Sequence, residues 1–158
     1  MDLRHFVEEM GLLFEYAGIP RMAGRIFSHL LLSEPPQQSA EEISRAIQAS
    51  RASVSTMTRL LIQGGLVERQ VLPGKRHDTF RIRPDAFRRQ LMERVRLLTM
   101  FREVAERGLE ALNGERSLRA EQLKEMVGLY RWMEREFPRL IERYQRESTP
   151  ARRRSGPP

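Results

Sequence analysis

The 158-residue chain is 40% apolar and 31% charged, carries 28 Lys or Arg against 21 Asp or Glu for a net charge of +7, and contains no cysteine. The lack of cysteine excludes disulfides, thiolate metal sites and thiol redox sensing, and no apolar run approaches the roughly 20 residues needed to cross a bilayer. The length suits a single structural unit, and Asp2, Glu8, Glu9 and Glu15 interrupt the first apolar stretch, unlike a secretory signal, so residence in the cytoplasm with no membrane partner is expected.

Over residues 3–17, Leu3, Phe6, Val7, Met10, Leu13, Phe14 and Ala17 recur at steps of three and four, with Glu8, Glu9 and Glu15 on the other side. This predicts an amphipathic helix that Gly18 stops. Pro20 stands where the first residue of a second helix would, ahead of the stripe Met22, Ala23, Ile26, Phe27, Leu30 and Leu31. Both stripes read as packing surface. Residues 33–38, with Pro35 and Pro36, form a turn.

Ser39 with Glu42 three residues on is a capping box, which satisfies two otherwise unpaired backbone donors and starts a short helix carrying Ile43, Ala46 and Ile47. Ser50 caps the next helix. That helix puts Val54, Met57 and Leu61 on one face and turns Arg51, Ser53, Ser55, Thr56 and Arg59 elsewhere, before Gly64 and Gly65 end it. Residues 66–72 and 77–83 are strands divided by the turn composition Pro73, Gly74, Lys75 and Arg76. In the second strand Phe80 and Ile82 share one face, and Thr79, Arg81 and Arg83 the other.

Pro84 and Asp85 open a long helix that reaches about Leu112, with Asn113 and Gly114 closing it. A last helix begins near Ser117. In it Leu123, Met126, Tyr130, Met133, Phe137, Leu140 and Tyr144 alternate steps of three and four, a coiled-coil seam that wants a partner, while Pro138 should kink or split the helix. From Ser148 the composition predicts a disordered basic tail.

A short helix, a tight turn, a helix with a polar leading half and a basic hairpin, in that order over 39–83, read as a winged helix-turn-helix. The expected fold class is therefore mainly α (α+β). Residues 1–83 would hold the N-terminal helices and the winged module (core 20–83), 84–147 a helical dimerisation region, and 148–158 the tail. Charge placement agrees with this plan. Between 51 and 83, Arg51, Arg59, Arg69, Lys75, Arg76, Arg81 and Arg83 face only Glu68 and Asp78, a local +5, whereas residues 1–50 balance to −3. A concentrated basic patch is the footprint of a phosphate binder.

Helices of this kind read DNA with side chains near their start, where backbone amides also face phosphate. Arg51 and Arg59 are candidates for base contact, because arginine can donate two bonds to guanine, and Ser53, Ser55 and Thr56 for positioning. Lys75 and Arg76 at the hairpin tip are candidates for the neighbouring minor groove. The plainer alternative makes the helix residues solvated surface. Tyr16, Phe101, Tyr130 and Trp132 could line a ligand pocket, although aromatics at helical spacing are more often core. His5, His29 and His77 are scattered without metal-ligand spacing, and no phosphate loop or nucleophile elbow is present. Neither catalysis nor a cofactor is expected.

The segment Pro20, Arg21, Ala23, Gly24 and Arg25, the helix residues Ser53, Val54 and Ser55, and the run Gly65 to Arg69 followed by Pro73, Gly74, Lys75 and Arg76 resemble MarR-like regulators, the 20–25 segment pointing to their GbsR-type branch. The resemblance is close over residues 3–83 and extends to the last two helices in pattern. It implies a homodimeric transcriptional regulator, a repressor more often than an activator, that binds a palindromic operator in double-stranded DNA and is released by a small-molecule effector. It assigns the recognition role to Ser53, Ser55, Thr56 and Arg59 and the wing role to Lys75 and Arg76, and leaves effector-binding residues unassigned. A winged-helix interaction module that docks an acidic protein partner without binding DNA is the alternative reading.

Overall fold

A computed structural model describes residues 2–71, 77–114 and 117–148. The hairpin tip with Pro73, Gly74, Lys75 and Arg76, and the tail beyond Ser148, lie outside the described residues. In chain order the elements are α1 (Leu3–Tyr16), α2 (Arg21–Leu32), β1 (Gln38–Ser39), α3 (Ala40–Ala46), α4 (Arg51–Gln63), β2 (Val67–Gln70), β3 (Thr79–Ile82), α5 (Ala86–Ala111) and α6 (Leu118–Ser148). Two compact units, Met1–Gln90 and Leu91–Pro158, replace the single unit that length suggests.

In the first unit, α1 starts at Asp2, whose carboxylate accepts the Arg4 amide at 3.3 Å, and ends where Gly18 takes φ +78°. Pro20 is the cap of α2 and not its first residue. Its φ of −52° and ψ of 132° are extended, and its carbonyl accepts the Ala23 amide at 2.8 Å. The two helices approach closely because Gly24 has no side chain: a Cβ there would fall 2.8 Å from both the Met10 carbonyl oxygen and Phe14 Cβ.

Helix α2 supplies the middle of the core. Its Ala23, Ile26, Phe27 and Leu30 are buried with Ile43 of α3, Ile47, Val54 and Leu61 of α4 and Val67 of β2, and Phe80 and Ile82 of β3 pack against them. The capping box forms as the spacing predicts, with the Ser39 amide donating to Glu42 Oε2 at 2.6 Å and the Glu42 amide to Ser39 Oγ at 3.2 Å. Between α3 and α4 the chain turns through Gln48 at φ +53°, and Ser50 Oγ accepts the Ser53 amide at 3.2 Å to start α4.

The sheet has the order β1-β3-β2, both pairs antiparallel. Gln38, the last residue of the segment read as a turn, and the cap residue Ser39 form a strand: Gln38 pairs with Phe80 and Ser39 with Thr79. One expectation about β3 is overturned. Thr79 does not share a solvent face with Arg81 and Arg83 but is buried at 1% exposure, its hydroxyl donating to the Gln70 carbonyl at 3.2 Å.

One ion cluster ties α1 to the rest of this unit. Arg21 and Arg25 each reach Glu8 at 2.8 Å, and Arg25 Nη2 also donates to the Ile47 carbonyl at 2.9 Å. The hydrogen bond from Arg21, above all, holds the Glu8 carboxyl below its ordinary value of 4.5. A carboxyl depressed by folding adds stability above its unfolded pKa and loses it as pH falls through the folded one. The melting temperature should therefore drop below about pH 4.5, and the deficit of Glu8→Gln relative to the native chain should shrink as acid removes the same clamp. A deficit that stays constant between neutral and acid pH, measured by thermal melts, would contradict the assignment.

In the second unit, α5 and α6 are joined through Asn113 and Gly114 at φ +45° and +76°. Arg102 reaches Glu134 at 2.8 Å and Glu106 at 2.6 Å, and Arg131 reaches Glu106 at 2.5 Å, so one cluster links the two helices. Hydrogen bonds from Arg131 and then Arg102 keep Glu106 below its ordinary value. Phe101 and Tyr130 meet edge to face, with ring centres 6.4 Å apart. Pro138 does not divide α6, which runs as one helix of 31 residues.

Candidate nucleic-acid interface

Helix α4 is two-sided for a physical reason. Val54, Thr58 and Leu61 are buried beneath it, the Thr58 hydroxyl being satisfied by the Val54 carbonyl at 2.8 Å. With that face fixed, Arg51, Ser55, Thr56 and Arg59 are exposed on the other side, and Ser53 is half-buried at the first turn. Thr56 Oγ1 donates back to the Ala52 carbonyl at 3.0 Å, so its acceptor capacity remains available. Arg59 makes no ion pair among the described residues, and its side chain is open to a partner. Lys75 and Arg76, the wing candidates, lie outside the described residues.

The hairpin is held beside this helix through its root. Arg81 pairs with Glu68 across the strands at 2.6 Å, Arg83 with Asp85 at 2.8 Å, and Gln90 donates to the Gly64 carbonyl at the end of α4. Burial acts to raise the Asp85 carboxyl, but the Arg83 hydrogen bond and the charges of Arg83 and Arg89 outweigh it and leave the group lowered. Between α3, α4 and β3 lies a cleft of about 450 Å³ lined by Ser39, Glu41, Arg51, Ser55, His77 and Asp78 among others. The first turn of the candidate reading helix therefore faces the strand that leads out of the wing.

Two residues of this cleft escape a reading of the sequence. Glu41 lies 3.3 Å from both Arg45 and Arg51, and Asp78 lies 3.0 Å from Arg69. Spacing of four reveals Glu41 with Arg45. Its approach to Arg51 needs the turn between the helices. Consequently the local +5 is not a field of free cations: of the described arginines between 51 and 83, only Arg59 lacks a carboxylate partner.

A second cavity of about 450 Å³ opens between α1, α2 and the end of α3, lined by Val7, Glu8, Arg25, His29, Ile47 and Gln48 among others. Burial lowers the His29 pKa, which favours the neutral ring. Of the suggested pocket aromatics, Tyr16 is 94% exposed and Trp132 51%, while Phe101 and Tyr130 contact each other. No group of three or more His, Asp or Glu among the described residues could hold a metal ion. None of the described helices is long and apolar enough to cross a membrane.

A helix packed by its apolar underside, a short helix before it and a three-stranded sheet beside it define a winged helix-turn-helix. The family model for an MmpR5-like MarR family transcriptional regulator matches residues 85–147. The HTH-type transcriptional regulator MmpR5 of Mycobacterium tuberculosis is 39% identical over 143 residues, 90% of this chain and 87% of the relative. A solved crystal structure of a transcriptional regulator superposes with a TM-score of 0.78 at 38% identity, covering 92% of this chain and 99% of the other. The chain belongs to the MarR family of transcriptional regulators, which are not enzymes. The matching model is MmpR5-like, whereas the 20–25 segment suggests the GbsR type. In the structure the arginines of that segment pair with Glu8 of α1.

Proposed function

We propose that the protein is a homodimeric repressor that reads a palindromic operator with α4 and its wing. The observation that carries this reading is the exposed row Arg51, Ser55, Thr56 and Arg59 on a helix whose opposite face is locked in the core. Arg59 and Arg51 contact bases in the major groove, Ser53, Ser55 and Thr56 position the helix on the backbone, and Lys75 and Arg76 reach the adjacent minor groove. The domain plan follows: 1–83 reads, 84–147 dimerises, and the basic tail from 148 adds phosphate attraction.

Dimerisation is supported by apolar surface that one copy leaves in water. Leu97, Met100, Val104, Leu129, Trp132, Leu140 and Tyr144 of α5 and α6 are all at least 47% exposed, and Leu13 and Tyr16 of α1 also remain open. Exposed apolar side chains in such number on each unit favour an interaction face. Twofold pairing would set two reading helices about 34–36 Å apart, one turn of DNA. A small-molecule effector, which family membership suggests, has a fitting site in the cavity bounded by Val7, His29 and Gln48, beside the turn that aims α4.

A mobility-shift series with duplex fragments from the gene's own promoter, at several salt concentrations, tests the reading. Binding by a dimer that weakens with salt is expected. Capture of an acidic protein with no duplex binding would favour the interaction-module alternative instead.

A further inference from the structure

We propose that Glu41 and Asp78 are intramolecular competitors for DNA phosphate and thereby set the specificity of the reader, an inference that rests on the DNA-binding reading above. The ion pairs of the winged module fall into two kinds. Arg81 with Glu68 and Arg83 with Asp85 have side chains between 26% and 37% exposed, and they hold the hairpin together and to the start of α5. Arg51 with Glu41 has side chains 73% and 55% exposed, and Arg69 with Asp78 has 60% and 37%. Exposed pairs of this kind contribute little to stability. A phosphate, with matching charge and geometry for a guanidinium, can displace them.

Position makes the exposed pairs relevant to recognition. Glu41, Arg51, Asp78 and Ser55 line the same cleft between α3, α4 and β3, so both carboxylates stand where the reading helix meets the wing root. Glu41 divides its charge between Arg51 and Arg45 at 3.3 Å each, which leaves neither arginine fully neutralised and neither fully free. On arbitrary DNA, where Arg51 has no matching base to read, each phosphate contact by Arg51 or Arg69 must replace an existing carboxylate contact, and the electrostatic gain nearly cancels. On the operator, base contacts by Arg59 and its neighbours supply the surplus that opens the pairs. The carboxylates thus subtract mainly from sequence-independent binding, the term that competes across a genome.

The test uses the full-length protein with Glu41→Gln and Asp78→Asn, and Glu125→Gln on the exposed surface of α6 as a control of equal charge change. Affinity is measured by fluorescence anisotropy for a promoter duplex and for a scrambled duplex of the same length, between 50 and 300 mM salt. Each reader variant should bind the scrambled duplex roughly twofold to fivefold more tightly near 0.1 M salt, with a salt slope steeper by about 0.9 per freed cation. The promoter duplex should gain less, so discrimination falls, and the control should follow the native chain. Reader variants whose curves coincide with the control would overturn the proposal while leaving DNA binding intact. Absence of salt-dependent binding by the native chain would instead remove the reading beneath it. Circular dichroism melts identify a folding defect, and the double variant provides a second reading: its slope should steepen by about twice the single value.

Discussion

Arg59→Ala is expected to weaken binding to the promoter duplex roughly fivefold to 150-fold, the 1–3 kcal/mol that a bidentate arginine–guanine contact contributes. The side chain is exposed on α4 and tied to no carboxylate among the described residues, so its removal leaves no buried group unpaired. The melting temperature should stay within a few degrees of the native value. Comparison of two duplexes separates the roles available to Arg59. A loss confined to the promoter sequence identifies a base contact, and an equal loss on scrambled DNA identifies a phosphate contact. Unchanged affinity for both would contradict the placement of α4 as the reader.

Ile26→Ala should be the most damaging of the single changes considered for stability. Ile26 is fully buried in α2, the element whose apolar residues meet those of α3, α4 and β2. Truncating a buried isoleucine costs about 2–5 kcal/mol, partly lost burial and partly the cavity that remains. For a unit of this size each kcal/mol lowers the melting temperature by about 4–8 °C, so a fall of ten degrees or more is expected in a thermal melt. DNA binding should fail on the same temperature scale, because Val54 and Leu61 hold α4 through this core. A loss below 1 kcal/mol in denaturant unfolding would show that α2 is not the centre of the core.

The apolar faces were legible because they follow from period alone. Val54, Met57 and Leu61 stand three and four apart, and the same logic finds the stripe of α2. Thr58 escapes that reading because its polarity hides a satisfied hydroxyl: the Val54 carbonyl accepts it one turn back, which lets the residue be buried. Thr79 escapes for a related reason, since its hydroxyl is satisfied by the Gln70 carbonyl across the β2–β3 pair, which lets the residue be buried. Pro138 illustrates the converse. Its missing amide removes one hydrogen bond from a helix of 31 residues, and the neighbouring turns carry the helix through.

Charge was legible only as a sum. Composition places seven cations between 51 and 83, but whether a guanidinium is free or held depends on which carboxylate the fold brings to it. Glu41 lies ten positions before Arg51, and Asp78 nine after Arg69, and only the turn at Gln48 and the hairpin register close those gaps. The candidate reading residues were therefore identified by their place on α4, and the carboxylates that oppose two of the module's cations were not.

If α4 and its wing hold duplex DNA in a twofold complex, an anisotropy titration of the intact protein against the promoter duplex at increasing salt will show it. The expected result is saturation at two chains per duplex, with log K falling linearly in log salt at a slope of about −0.9 for each phosphate contacted. Binding that is absent at low salt, or that does not change between 50 and 300 mM, would contradict it.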